Sequence, residues 1–187
     1  CLDSGHSRAG LQDWDDFLAL GKKIPASVAK AAAASSSPVD QGLIFFSSGS
    51  TAQPKAIQQT HRAATLQCWR FGHWYGVGSD VRTWSANGFF WSGNFAMAFG
   101  STLSVGGCLI LQRYFDPDSS LELLQREKVL LAIAWPHQEA RLKECPGWAD
   151  ADLSALVYVD KDLILATHPS IETTWRQPNG YGLTETF

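Results

Sequence analysis

Residues 43–55 read Leu43-Ile44-Phe45-Phe46-Ser47-Ser48-Gly49-Ser50-Thr51-Ala52-Gln53-Pro54-Lys55, an apolar run followed by a turn of small residues that ends in a lysine. The apolar run predicts a buried β-strand. In the turn, short side chains let backbone N–H groups approach phosphate oxygens, and the lysine adds a positive charge. The stretch therefore predicts a strand that leads into a phosphate-binding loop.

Two other interpretations compete with this one. Gly49 and Lys55 have the spacing of a Walker P-loop, but Pro54 replaces its second glycine and Ala56 replaces the Ser or Thr that binds Mg²⁺. A Mg²⁺-binding P-loop is therefore not expected. The other interpretation is an ordinary serine-rich hairpin or surface loop, and a second feature must decide against it.

That second feature lies at residues 179–186, which read Asn-Gly-Tyr-Gly-Leu-Thr-Glu-Thr. Tyr181 can stack on a planar base, Thr184 can hydrogen-bond a phosphate, and Glu185 can bind Mg²⁺. Each residue also has a plainer interpretation, because Asn-Gly is a common turn and Thr-Glu commonly opens a helix. Their occurrence together with the first stretch favours a nucleotide site.

Together the two segments resemble those of the adenylate-forming superfamily, which includes acyl-CoA synthetases, luciferases and the adenylation domains of peptide synthetases. Its loop motif is similar to [S/T]-S-G-[S/T]-T-G-x-P-K-G, from which this chain departs at Ala52 and Ala56, and its second motif is similar to Y-G-x-T-E, which residues 181–185 match. Leu183 favours the acyl- or aryl-CoA ligase branch, because amino-acid-activating domains commonly carry Pro there.

The resemblance implies a reaction and its cofactors. ATP and a carboxylic acid would form an acyl-adenylate and pyrophosphate with Mg²⁺, and the acyl group would then pass to a thiol, with coenzyme A as the expected acceptor. Four alternatives stay open: a non-catalytic nucleotide-binding relative, suggested by Ala52 and Ala56, an amino-acid adenylation domain, a phosphotransferase with an unusual loop, and a structural domain with chance motifs.

The resemblance also assigns roles to residues. Lys55, Thr184 and Glu185 would be catalytic: Lys55 would offset charge on pyrophosphate, Thr184 would bond the α-phosphate, and Glu185 would be the metal ligand. The other nucleotide-binding positions fall in the two motifs. They are Ser47, Ser48, Gly49, Ser50 and Thr51 around the phosphates, with Asn179, Gly180, Tyr181 and Gly182 around the adenine.

An aromatic turn between the motifs is a candidate substrate pocket. The chain has eight tryptophans, but its acidic balance opposes a stacking site for single-stranded nucleic acid. Residues 88–93 follow a predicted strand at 81–85 and occupy the place where family members put part of the acyl pocket. Phe90 and Trp91 are therefore predicted to line that pocket, and core packing is the alternative.

Composition narrows the class of protein. The 187 residues are 45% hydrophobic, and 15 basic against 18 acidic residues give a net charge of −3 with no basic run, so nucleic acid is not an expected partner. No run approaches about 18 apolar residues and no leader opens the chain, which predicts a cytoplasmic protein without a transmembrane segment. The four cysteines and five histidines lack metal-ligand spacing, so we expect reduced, mostly buried thiols.

The pattern of apolar runs predicts an α/β fold with a largely parallel sheet flanked by helices. The predicted strands are 43–46, 108–111, 129–135 and 156–159, and the predicted helices are 62–75, 118–128, one from Pro136, and 163–175. Residues 1–39 are predicted as a leading segment, with a short helix capped by Asp13 that ends at Gly21 and a connector at 29–38.

Residues 40–187 are then predicted as a partial AMP-binding α/β core, without the C-terminal domain. Relatives in the superfamily carry a ribose-binding Asp, a hinge and a C-terminal domain further along. The resemblance therefore implies that this chain is a fragment of the large N-terminal domain.

Overall fold

The computed structural model describes residues 12–47 and 53–187, and the chain divides into two compact units at residues 1–40 and 41–187. In the first unit, helix α1 spans Trp14–Gly21 and helix α2 spans Ala26–Ala34. The Asp13 carboxylate accepts a hydrogen bond from the Asp15 N–H at 2.8 Å, so the predicted cap and the predicted end at Gly21 are confirmed.

The predicted connector at residues 29–38 is wrong over most of its length, because its first part belongs to α2. The run of alanines has the highest intrinsic helix propensity, and this outweighs the loop character of the serines that follow. Ser35 closes the helix, with its backbone N–H donating to Ala31 and Ala32.

The second unit begins with a β-hairpin rather than with a strand of the parallel sheet. Strand β1 (Gln41–Ser47) pairs antiparallel with β2 (Lys55–Thr60), and Ser47 lies opposite Lys55. Phe45 is buried, whereas Phe46 is 70% exposed, so the prediction that this strand is covered on both faces is wrong. Alternating burial of this kind is typical of a strand with one packed face.

The parallel sheet has three strands in the order β4-β3-β5, formed by Arg82–Ser85 (β3), Cys108–Ile110 (β4) and Leu131–Ile133 (β5). Both neighbours of β3 run parallel to it, which confirms the predicted α/β fold class. The Trp84 side chain is fully buried, and its Nε1 donates to Gln112 Oε1 at 2.9 Å. Residues 156–159 form no strand: Tyr158 makes a single parallel bridge to Leu131.

Three of the four helices predicted for the core are present. Helix α3 spans His61–Tyr75, α6 spans Pro117–Arg126, and α7 spans Pro136–Lys143. Helix α6 starts earlier than predicted because Asp116 caps it and Pro117 fits its first turn. Glu122 and Arg126, one turn apart on this helix, form an ion pair at 3.6 Å. The predicted helix at 163–175 is wrong, since it reduces to a 3₁₀ turn at Leu165–Thr167.

A helical segment that the sequence pattern did not predict follows the aromatic turn. It consists of α4 (Ser92–Asn94), a π-helical stretch (Phe95–Gly100) and α5 (Ser101–Ser104). π-helical turns are rare and are often found at functional sites. This segment packs on α3 at Gly100, where an added Cβ would overlap the Cys68 side chain and lie 3.0 Å from its Cα.

Replacement of Gly100 by alanine is therefore expected to destabilise the protein by about 1–3 kcal/mol, because α3 and the π-helical stretch must separate. Urea unfolding monitored by circular dichroism measures the change. Gly21→Ala in α1 is the matched control, since an added Cβ there meets nothing within 4 Å. A Gly100→Ala protein as stable as the wild type would contradict this packing.

Candidate functional site

A cleft of about 970 Å³ brings most of the described candidate residues together. Three parts of the second unit supply most of its described lining: the last eleven residues except Asn179, one face of α3, and residues between Trp91 and Met97. Ser47 and Trp135 complete that lining. The candidate residues that line the cleft are Ser47, Trp91, Gly180, Tyr181, Gly182, Thr184 and Glu185.

Several candidates are not brought to the cleft. Lys55 is exposed at the start of β2 and does not belong to the described lining of the cleft. Asn179 does not belong to that lining either. Phe90 is also outside the lining and is 85% exposed, whereas the neighbouring Trp91 faces the cleft. Ser48, Gly49, Ser50 and Thr51, like Ala52, lie outside the described residues.

Two side chains from other elements hold the turn that contains Thr184 and Glu185. Gln59 on β2 is buried, and its Nε2 donates to the Thr184 carbonyl oxygen at 2.6 Å. The Ser92 hydroxyl at the start of α4 lies 3.2 Å from the Thr184 hydroxyl. These two contacts connect the turn to strand β2 and to helix α4. They orient the Thr184 and Glu185 side chains toward the same cleft.

The end of the described chain is anchored by aromatic packing. The Phe187 ring lies 5.3 Å from Phe45 of β1 and 6.2 Å from Phe95 of the π-helical stretch, measured between ring centroids. Phe45 and Phe95 also pack edge to face at 5.8 Å. Such pairs add about 0.5–1.5 kcal/mol beyond the buried area, so this cluster stabilises the turn next to it.

One face of α3 supplies the opposite wall of the cleft. Trp69 and His73 stack at 5.4 Å, and Trp74 lies close to the backbone of Gly180, where an added Cβ would be 3.5 Å from its ring. Arg70, on the same face, adds a positive charge to the wall. This wall was not predicted from the sequence, although two tryptophans on the predicted helix, the exposed Trp69 and Trp74, were a signal that could have identified it.

Tyr181 is available for stacking on a ligand. Its side chain is 89% exposed, although it lines the cleft together with Gly180 and Gly182. An exposed aromatic ring in a concave site presents its face to planar groups at little conformational cost. The geometry therefore fits the stacking role that the sequence suggests.

A smaller cavity of about 230 Å³ adjoins the cleft. Its walls include strand β5, the Trp135 ring and the buried residues Tyr75 and Glu139. Four residues line both the cavity and the cleft: Trp91, Met97, Trp135 and Gln177. Trp91 and Trp135 are in contact, with ring centroids 5.4 Å apart, so they stand between the two spaces.

Within the parts of the chain that the structure describes, no cluster of three His, Cys, Asp or Glu side chains could hold a metal ion.

Cys68, Cys108 and Cys145 are free thiols. Of these three, Cys145 is buried and the other two are not, so the prediction of mostly buried thiols does not hold for them. None of the described helices is both long enough and apolar enough to span a membrane.

One of the two acidic residues that line the inner cavity, Glu139, has a raised pKa. Burial raises the pKa of the Glu139 carboxyl, although the backbone N–H of Leu165 donates to it at 3.0 Å and opposes the shift. A carboxyl whose pKa is higher in the folded state stabilises the fold fully at pH below its unfolded value. That contribution is lost as the pH rises through the folded value.

Glu139→Gln is therefore expected to gain stability relative to the wild type as the pH rises from about 4 toward neutrality. Unfolding free energies of both proteins, measured in urea at several pH values, give the difference directly. Glu172→Gln, at an exposed carboxylate, controls for the loss of one negative charge. A Glu139→Gln difference that stays constant with pH would show that burial does not perturb this carboxyl.

Comparisons with known proteins agree on one family. A family model described as AMP-binding enzyme matches residues 6–187. A feruloyl-CoA synthase of Amycolatopsis sp is 33% identical over 117 residues, which cover 63% of this chain and 24% of that protein. A methyl-dioxo-octahydroindenyl propanoyl:CoA ligase of Mycobacterium tuberculosis is 30% identical over 143 residues, covering 76% of this chain and 28% of the ligase.

A solved structure shows the same fold. The crystal structure of an anthranilate CoA ligase in complex with anthranoyl-AMP superposes with a TM-score of 0.64 at 20% identity, covering 82% of this chain and 29% of that one. The chain thus spans about a quarter of the length of the curated relatives that it matches.

Proposed function

We propose, because the chain belongs to the family of AMP-binding enzymes, that the full-length protein activates a carboxylic acid as an acyl-adenylate and transfers the acyl group to coenzyme A. The observation that carries this proposal is the cleft whose lining includes Tyr181, Thr184 and Glu185 together with Trp91. The cleft offers a stacking surface, a hydroxyl and a carboxylate within one concave site. These groups suit the adenine, the phosphates and the Mg²⁺ of an ATP–Mg²⁺ complex.

Charge is the main chemical obstacle to this reaction. A carboxylate oxygen must attack an α-phosphate that is already anionic, so the site must neutralise and align both groups before they react. Glu185 fits Mg²⁺, which is commonly bound by one or two carboxylates together with substrate phosphates. The metal, when bound, supplies the positive charge that the attack requires.

The chain's own residues would position the nucleotide. Tyr181 would stack on the adenine, with Asn179, Gly180 and Gly182 beside it. The Thr184 hydroxyl, oriented by its contact with Ser92 at 3.2 Å, would donate to the α-phosphate. Gln59 would keep this geometry by holding the Thr184 carbonyl oxygen at 2.6 Å.

The loop after β1 would bind the β- and γ-phosphates. Ser47 is its described member in the cleft, and Lys55 enters the hairpin directly opposite, in register with it. Ser48, Gly49, Ser50 and Thr51 join Ser47 and Lys55 in this proposal. Their short side chains and backbone N–H groups suit a phosphate cradle.

The acid is proposed to carry a ring and to lack the α-amino group of an amino acid. The named relatives act on feruloyl and on octahydroindenyl propanoyl groups, and the structural neighbour is an anthranilate CoA ligase, so all three handle ring-bearing acids. Trp91 lines both the cleft and the cavity beside it and would contact that ring. Phe90 would reach the pocket only by reorienting from its exposed position. The reaction is placed in the cytoplasm, where ATP and coenzyme A are available.

Two other functions remain candidates because a specific observation favours each. Ala52 and Ala56 replace residues that are glycine in the family loop, which favours a non-catalytic nucleotide-binding relative. The Tyr-Gly-x-Thr-Glu motif is shared with amino-acid adenylation domains, although Leu183 favours the CoA-ligase branch.

Product analysis separates these functions. The full-length protein, incubated with ATP, Mg²⁺, coenzyme A and a panel of aryl acids and amino acids, is expected to release AMP and form an acyl-CoA from an aryl acid. ADP as the product would indicate a phosphotransferase instead. Adenylation of an amino acid would identify an adenylation domain, and ATP binding without any product would identify a non-catalytic relative.

A further inference from the structure

Two tryptophan rings lie at the boundary between the cleft and the inner cavity. Trp91 directly precedes helix α4 and Trp135 directly precedes helix α7, and both residues line both spaces. Their ring centroids are 5.4 Å apart, and the ring planes are inclined at 41°. Met97 and Gln177, which the two described linings also share, have long, flexible side chains. The tryptophans are therefore the rigid part of this boundary.

The backbone that carries the two rings is fixed by hydrogen bonds. The Trp91 carbonyl oxygen accepts from the Phe95 N–H at 3.0 Å. The Trp135 N–H donates to Gln138 Oε1 at 2.8 Å. The Trp91 ring also lies against Gly93, where an added Cβ would overlap it. Because the backbone is held at both sides, the opening between the rings can change mainly by side-chain rotation.

The inner cavity has the size of one substituted ring. Its volume is about 230 Å³, and Leu131 and Ile133 of β5 belong to its apolar walls. A cavity of about 150 Å³ already accommodates benzene, so one ring fits with room for a short substituent. At the same packing, the twelve carbons of two linked rings need about 300 Å³, which is more than the cavity has. A second ring would therefore have to lie at the boundary, where the tryptophans are.

The charges of the two spaces indicate which end of an acid would enter the cavity. The described lining of the inner cavity contains Glu139 and Asp160 but no Lys or Arg, so an anion is disfavoured there. The described lining of the cleft contains Arg70, and the proposed function assigns Glu185 in the cleft to Mg²⁺. An acid is therefore expected to keep its carboxylate in the cleft, near Thr184, and to place its apolar end in the inner cavity.

We propose that the inner cavity binds a single ring at the far end of the acid, and that Trp91 and Trp135 set this limit of one ring. The linker between the ring and the carboxylate passes the two indoles, and a second ring at that point meets them. This inference rests on the proposed function and narrows its substrate class. Trp91 and Trp135 become the residues that distinguish an acid with one terminal ring from the same acid with two.

Calorimetric titration of the full-length protein with cinnamate and with para-phenylcinnamate, without ATP, tests the inference. The two acids share the carboxylate and its linker, and the second carries one more ring. A larger apolar surface by itself favours tighter binding, so a wild-type preference for cinnamate of about 10-fold or more reports a size limit. Trp135→Ala should reverse the preference, because the second ring can occupy the space that the indole leaves.

Two further variants separate this effect from a general loss of a tryptophan. Trp91→Ala, at the other side of the boundary, should shift the preference in the same direction as Trp135→Ala. Trp14→Ala removes a partly exposed tryptophan of α1 that belongs to neither described lining, and it should keep the wild-type preference. Circular dichroism of each variant shows whether it is folded.

Equal affinities in the wild type, tighter binding of para-phenylcinnamate, or no detectable binding of either acid would overturn the inference. A preference for cinnamate that survives in both Trp91→Ala and Trp135→Ala would overturn it as well. Exchange of labelled pyrophosphate into ATP, measured on the same preparations with a broader acid panel, reports separately on the proposed function. Absence of exchange with a retained, tryptophan-dependent binding preference would refute the ligase activity and leave the one-ring limit standing.

Discussion

Glu185→Gln in the full-length protein is expected to lower acid-dependent exchange of pyrophosphate into ATP by about 100-fold or more. The substitution keeps the size and shape of the side chain and removes the negative charge that would hold Mg²⁺. Glu185 lines the cleft next to Thr184, whose carbonyl and hydroxyl are both held by other elements, so the glutamine would occupy the same place. The fall in rate would therefore report on charge rather than on misfolding.

Initial exchange rates over a range of Mg²⁺ concentrations measure this effect. The variant should need more Mg²⁺ for half-maximal rate, because a neutral amide is a weaker ligand for a hard cation. Glu172→Gln is the matched control, since Glu172 is an exposed carboxylate outside the cleft lining. Wild-type exchange by Glu185→Gln at all Mg²⁺ concentrations would remove Glu185 from the metal site.

Lys55→Ala is expected to lower the same exchange rate by roughly 10- to 100-fold, because the pyrophosphate that leaves would lose a positive charge beside it. Lys55 is exposed at the start of β2 and pairs across the hairpin with Ser47, which lines the cleft. A flexible four-carbon side chain at this position can reach phosphates that lie over the hairpin loop.

Two variants separate charge from general effects on the hairpin. Lys55→Arg keeps the charge and should retain more exchange than Lys55→Ala. Lys30→Ala on α2 removes an exposed positive charge from the other unit and should behave as the wild type. If Lys55→Ala and the wild type exchange equally well, Lys55 is simply a hairpin residue.

The parallel sheet was partly predictable, because the runs at β4 and β5 are short and apolar, as strands in a covered sheet should be, whereas its central strand β3 reads Arg-Thr-Trp-Ser. The antiparallel hairpin was not. Strand β2 carries two consecutive glutamines, Gln58 and Gln59, and one of them is buried by its bond to the Thr184 carbonyl. The partner lies 125 residues away, so the local sequence pattern does not predict that Gln59 is buried.

The predictions of a helix at 163–175 and of a connector at 29–38 were wrong for local reasons. The apolar spacing at 163–175 suggested a helix, but Pro169 lacks a backbone N–H and disfavours helical geometry in the residue before it. In α2 the alanines favoured a helix more strongly than the adjacent serines favoured a loop.

Sequence also identified only part of the cleft. The motif at 181–185 was found from its resemblance to a family, and the structure places Tyr181, Thr184 and Glu185 on one cleft. The wall formed by α3, with Trp69 and Trp74, and the inner cavity were not identified. Both are consequences of tertiary packing, since they depend on which elements meet in the fold.

Acid-dependent exchange of labelled pyrophosphate into ATP by the full-length wild-type protein, without coenzyme A, tests acid activation most directly. Exchange should appear only when a suitable aryl acid is present, and the acyl-adenylate should be detectable by mass spectrometry. Formation of an acyl-adenylate before any thiol is added is the step that defines the proposed reaction. Absence of exchange with every acid in a broad panel, in a protein that binds ATP, would contradict it.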